Sequence, residues 1–352
     1  MRALFGKNFA GGRGNIVLGA EYVRQEGMVL ASRYKFRYLS PSGNVDRTDG
    51  IPAQLVVGDL RYAALTEGGL PYLAGDIAPG TSSYIRDAAG NPLQFGPNGD
   101  LVPFNLGASF FGSSSGPYAI MRDGGDGLDP AKHFSLLTPN ERYLFNATGH
   151  YDLTDNVTFF VEGSYAHTSG TKLSDLFQFA APNILGGPVL TMSIDNPFLS
   201  AQARDILVAN GVTSFKLNRN MNDIADRAPG RTKLDVYRIV AGFRGDFDVS
   251  GEKWNWDLSY NYGRSRNESE FNQVNLTRFL QAINVVGTPG APVCRSGGSC
   301  VPLNIFGENR FSDEAAEYVV DRGVGISINS LQTITANLDG RLPFGIADPI
   351  AF

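Results

Sequence analysis

Few residues in this 352-residue chain have the means for chemistry beyond packing: two cysteines, three histidines and scattered carboxylates. Cys294 and Cys300 lie close together in the Gly/Ser/Pro-rich stretch "APVCRSGGSC". A pair so placed suggests a disulfide in an oxidising compartment. Two free thiols is the plainer reading. A zinc site would need two more ligands, and neither histidine nor further cysteine lies near. "RDGGDGLDP" offers Asp123, Asp126 and Asp129 among glycines. Calcium takes clustered carboxylates on a flexible loop, but the spacing is not that of an EF-hand, and Asp-Gly pairs commonly form turns. His133, His150 and His167 are the only histidines. His150 and His167 are expected on one polar wall of paired strands, solvated and not ligating. No Ser-His-Asp or Cys-His pattern supplies a nucleophile, and "GGRGN" lacks the Lys-Ser/Thr of a phosphate loop. Neither catalysis nor a bound cofactor is expected.

The elements that hold these residues read as strands. Gly numbers 42, Phe 23 and Tyr 14, a strong-β, turn-rich composition that points to an all-β protein. Charged residues are 18% and the net charge is −5, with no dense basic block, so nucleic acid is not an expected partner. No apolar run is long enough for a membrane-spanning helix. The N-terminal stretch "MRALFGKNFAGGRGN" lacks the apolar core of a secretory signal.

Short turns near 9–14, 154–156, 248–252 and 343–349 are flanked by period-two segments. Phe145, Ala147, Gly149 and Tyr151 share one face, and Val157, Phe159, Val161, Gly163 and Tyr165 share another. Tyr237, Ile239, Ala241 and Phe243 alternate with Arg238, Val240, Gly242 and Arg244. Trp254, Trp256, Leu258, Tyr260 and Tyr262 alternate with Asn255, Asp257, Ser259 and Asn261. Toward the C-terminus Ile328, Ile334, Ala336 and Leu338 share one parity. Between these hairpins run long, weakly periodic loops at 27–141, 171–232 and 268–325. Loops that long are uncommon in compact soluble domains. Short turns on one rim and long loops on the other are the pattern of a transmembrane β-barrel. A one-residue slip at 236–246 would place Arg238 and Arg244 in lipid, at about 2–4 kcal/mol each near the midplane, so the register is strongly specified. A soluble β-sandwich explains the alternation equally well but not the loop asymmetry. Within the loops, "AQARDILVANG" and "SDEAAEYVVDRG" carry helical spacing, with Gly211 and Gly323 as stops.

Several stretches carry a resemblance. "PVCRSGGSCVPLNIFGENRFSDEAAEYV" (292–319), "LTPNERYLFNATGHYDLTDNVTFFVEGSYAHT", "NFAGGRGNIVLGAEYVRQE" and "IDNPFLSAQARDIL" resemble segments of TonB-dependent outer-membrane receptors of the proteobacterial kind, in the same order. The resemblance spans about residues 5 to 345. It implies a Gram-negative outer-membrane location and active uptake of a scarce solute, iron–siderophore by default, or a saccharide or peptide. Such receptors have a signal peptide, a TonB-contacting box, a plug domain and a barrel of about 22 strands. Residues 1–352 hold roughly seven to eight strands and no recognisable signal, box or plug. The expectation is therefore a partial barrel domain, an open curved antiparallel sheet with long extracellular loops. Its partners would be outer-membrane lipid, a small solute and, through a plug, the TonB complex. On this reading Trp254 and Trp256 belong to a periplasmic aromatic girdle. Arg238, Arg244, Asp257, Glu162 and Asp152 face the lumen, where they either line a solute path or simply solvate a polar wall. A passive porin and a secreted carbohydrate-binding β-sandwich are the alternatives.

Overall fold

The structure, a computed structural model, describes residues 1–32, 38–39, 56–73, 83–109, 121–171, 178–179, 189–225, 227, 229–342 and 350–351. Seven strands form its largest sheet: β1 (Arg2–Phe9), β2 (Gly14–Gln25), β3 (Asn140–Thr154), β4 (Val157–Thr171), β5 (Arg231–Val249), β6 (Glu252–Val274) and β7 (Val320–Asp339). Each pairs antiparallel with its neighbours in chain order, and β1 and β7 are edges that do not pair with each other. The fold is thus an all-β antiparallel meander, and no closed barrel is formed by the described residues.

Three connections are tight. Ala10–Gly12 form a 3-10 turn between β1 and β2. Only Asp155 and Asn156 separate β3 from β4. Ser250 and Gly251 join β5 to β6 with φ of 53° and 84°, the doubly left-handed geometry of a two-residue hairpin that keeps the strand twist. Arg13 locks two of these turns together, its guanidinium donating to the carbonyls of Asp152 (2.6 Å) and Leu153 (2.7 Å). The fourth expected turn, 343–349, lies outside the described residues.

The other connections are not structureless. β6 and β7 are longer than the alternation indicated, so the last long loop runs only from 275 to 319. Pairing continues there although β6 turns polar, because backbone ladders need no apolar side chains once they leave the apolar band. The loops carry α1 (Ala201–Ala209), α2 (Asn222–Ala225), α3 (Leu276–Ile283) and α4 (Asp313–Val319). Ser200, Asn275 and Ser312 cap α1, α3 and α4 by accepting a backbone N–H three residues on. Gly211, at φ 69°, follows α1 as expected. Gly323 does not stop α4: the helix ends at Val319 and the chain enters β7 directly, where Gly323 faces Phe271 across the ladder.

All three long loops fold together. Strand Ser214–Asn220 of the second pairs with Leu70–Tyr72 of the first and with Leu190–Ser193 of its own loop. Gln202 exchanges hydrogen bonds with the backbone of Leu101, and Gly307 of the third loop donates to Gly68 of the first (2.9 Å). Two apolar cores result. One gathers Phe95, Phe215, Leu217, Phe279 and Phe306; the other gathers Leu65, Leu70, Tyr72 and Phe104. Among the described residues, every core apolar side chain except Val240 lies in this loop body and none of the rest in the seven strands.

Candidate functional site: a two-faced sheet under a loop body

Register places the alternating apolar sets on one face. Tyr151, Phe159, Phe243, Leu258 and Ala336 are successive cross-strand partners, as are Ile16, Gly149, Val161, Ala241, Tyr260 and Ile334. No described element covers this face. Leu258, Ile239 and Ile334 are 46%, 51% and 73% exposed, where core side chains would be near zero. A sandwich would need a second sheet packed here. Free apolar surface on this scale marks a contact with lipid or another apolar partner.

Two aromatic belts bound the apolar face. Near the tight turns stand Phe9, Tyr151, Phe159, Phe247, Trp254 and Trp256; Phe9 stacks on Tyr151 and Phe247 on Trp254. Toward the loop body stand Tyr22, Tyr143, Tyr165, Tyr237 and Tyr262, with Tyr22 and Tyr143 rings 5.0 Å apart. Glycines open the space for the lower rings. A Cβ at Gly14 would fall 2.3 Å from the Phe9 ring, one at Gly340 2.3 Å from Trp254, and one at Gly245 3.1 Å from Trp256. Each ring lies over a glycine opposite it, the arrangement by which an aromatic side chain shields bare backbone. The indole N–H of Trp254 is buried there, with no hydrogen-bond partner among the described residues.

The opposite face is polar and connected. Arg238 donates to Asn261 Oδ1 (2.8 Å) and lies 3.7 Å from Glu162. Asp152 accepts from the Thr158 hydroxyl (2.8 Å), Asp257 accepts from Asn337 at 3.0 and 3.1 Å, and Arg244 lies over the Phe160 ring. The five candidate wall residues therefore share one face but form separate local pairs, with no single focus. His150 joins them, paired with Phe160. His167 does not. Its strand parity puts it on the face of Tyr143 and Tyr165, beyond the apolar stretch, where Nδ1 lies 2.7 Å from Asp235. That parity never changes along β4, but this face of the sheet turns polar there.

The remaining candidates are structural. Asp129 caps the 3-10 turn Pro130–Lys132, Asp126 accepts from the Asn105 N–H (2.8 Å), and Asp123 sits in a short strand. They do not converge, and no group of metal-ligating side chains occurs among the described residues. Cys294 and Cys300 form a disulfide, with Cα atoms 6.0 Å apart, after the hairpin Val285–Thr288/Ala291–Cys294.

A buried polar knot that the sequence did not announce fastens the loops. Arg219, fully buried, donates to both Asp223 oxygens (3.0 and 2.5 Å) and to the Gly307 carbonyl (2.7 Å). Next to it, Glu67 meets His133 Nε2 (2.7 Å) and accepts from Asn220 (2.8 Å). Burial pushes the Glu67 carboxyl up, but the His133 and Asn220 hydrogen bonds outweigh it and hold it below the usual range. Glu308 goes the other way, raised by lost solvation and then by the Glu67 charge.

No protein-family model matches the chain, and no curated protein is significantly similar to it. The fold and faces define a class only: an antiparallel meander with one uncovered apolar face, one polar face and a folded cap of loops at one end.

Proposed function

We propose that this chain is barrel wall from a TonB-dependent receptor of the Gram-negative outer membrane, taking up a scarce solute by active transport. The observation that carries the reading is the division of labour in the fold. Its cores lie in the loop body, while the long strands leave a whole apolar face to the surroundings. The belts give that face a height. Tyr262 and Trp254 are eight residues apart, as are Tyr143 and Tyr151. At ~3.3 Å per residue that is about 26 Å along a strand, or about 20 Å of height at a tilt of ~40°, close to a barrel's ~25 Å apolar band. Trp254 and Trp256 then mark the periplasmic interface and the tyrosines the outer one. Arg238, Glu162, Arg244, Asp257 and Asp152 line the watery side, and the loop body meets the solute. Iron–siderophore, saccharide and peptide are the solute classes in view. A plug, coupled to TonB, would supply the energised step.

Bromolipid quenching of the two tryptophans in reconstituted vesicles tests the membrane placement, and strong quenching is expected. A monodisperse protein in detergent-free buffer would overturn it. Energised uptake is tested with labelled solute in cells carrying the whole receptor. Uptake that persists without TonB would favour a passive porin.

A further inference from the structure

A hollow of about 510 Å³ opens on the loop body between two short strands. One wall belongs to the strand Leu190–Ser193, which pairs with Ser214–Leu217 and whose Ser193 carbonyl accepts from the Asn196 N–H (3.2 Å); the other belongs to Val285–Thr288, which pairs with Ala291–Cys294. The two strands do not pair with each other. Because the Ile194 N–H bonds the Thr213 carbonyl and the Arg295 N–H bonds the Asn284 carbonyl, alternation along each antiparallel pair turns the main chain of Thr191 and of Val285 away from its paired strand, and both residues border the hollow. Among the described residues two short strands, each paired on one side, thus flank a gap, and unpaired strand edges accept added strands. Each edge is four residues, about 13 Å long. The hollow also holds one exposed charge of each sign, Asp195 and Arg295, neither with an ion-pair partner among the described residues. Leu280, Ile283 and Val286 supply an apolar wall.

We infer that this hollow binds a short extended peptide as an added strand. The peptide backbone bridges Leu190–Ser193 and Val285–Thr288, its terminal carboxylate pairs with Arg295 and its terminal ammonium with Asp195. A free tetrapeptide matches both the edge length and the two charges. The site lies wholly in the loop body and holds whether or not the sheet enters a membrane.

The test is calorimetric titration of the full chain with the tetrapeptide Val-Thr-Val-Thr, free at both ends. Saturable binding is expected, at least about tenfold weaker for the same peptide methylated on its amide nitrogens, which cannot donate to strand edges. Arg295→Gln should weaken the free acid severalfold and leave the C-terminal amide unchanged. No binding of the parent peptide, or equal binding of the methylated one, overturns the inference. So does an Arg295→Gln variant that weakens acid and amide alike.

Discussion

Replacing Leu258 with arginine separates a lipid-facing sheet from one that merely faces water. Leu258 lies midway along β6, four residues from Trp254 and four from Tyr262, between Phe243 and Ala336. It is 46% exposed, so about half of its side chain already leans on neighbours. In water, Leu258→Arg would forfeit about 1 kcal/mol of that contact, and the arginine stem would recover part. At the midplane of a bilayer the same change costs about 2–4 kcal/mol, falling to about 0–1 near the interface. Leu338, the partner of Trp256 and 55% exposed, is the matched control at the belt. The assay is urea unfolding of vesicle-reconstituted protein, followed by tryptophan emission. Leu258→Arg should exceed Leu338→Arg by about 2 kcal/mol or more. Equal costs for the two, both under about 1 kcal/mol, would refute a depth-dependent apolar environment and the membrane reading with it.

Three further outcomes are expected. Gly340→Ala drives a Cβ into the Trp254 ring and must displace it, so the emission of that indole should shift and the end of the sheet should lose about 1–2 kcal/mol; unchanged emission would refute the ring-over-glycine packing. Arg219→Met leaves the Asp223 carboxylate without its partner and should destabilise the loop body by about 3–5 kcal/mol, with much of it recovered by Arg219→Met/Asp223→Leu. Hydrogen exchange at the Gly307 amide reads this, because that N–H bonds Gly68 across the joint. Glu308, held above its ordinary 4.5, binds its proton more tightly folded than unfolded, so stability falls as pH rises from 4.5 through the raised value. Glu308→Gln should remove that decline, gaining on the parent protein at neutral pH and not at pH ~4 in thermal melts.

Period-two alternation made the sheet legible. Once Phe145, Tyr165 and Tyr237 are given one parity, antiparallel pairing must bring them to one face, and it does. Polarity alone misleads: His167 is a wall residue by type, yet strand parity puts it on the face of Tyr143 and Tyr165. The loop body was hidden for a different reason. Its strands are two to seven residues long and come from three distant segments, so no window of sequence contains a period. Leu217 finds Pro71 and Leu190 only after folding. α3 is hidden as well, because eight residues are too few for periodicity to stand out. Arg219 gave no sign at all, since a lone arginine in a polar stretch ordinarily points to solvent.

The shared cores of the loops bear on how this cap can change over descent. Strand Ser214–Asn220 is seated between pieces of the first and second loops, and Arg219 reaches the third. Loops that stand alone can be exchanged one at a time, as separate cassettes. Here, transplanting the second loop into a related sheet would strip Phe215 and Leu217 of their neighbours and leave Gly307 without its guanidinium. A new cap surface must therefore arise by small, mutually compatible substitutions spread over three loops, or by inheriting the whole cap as one unit.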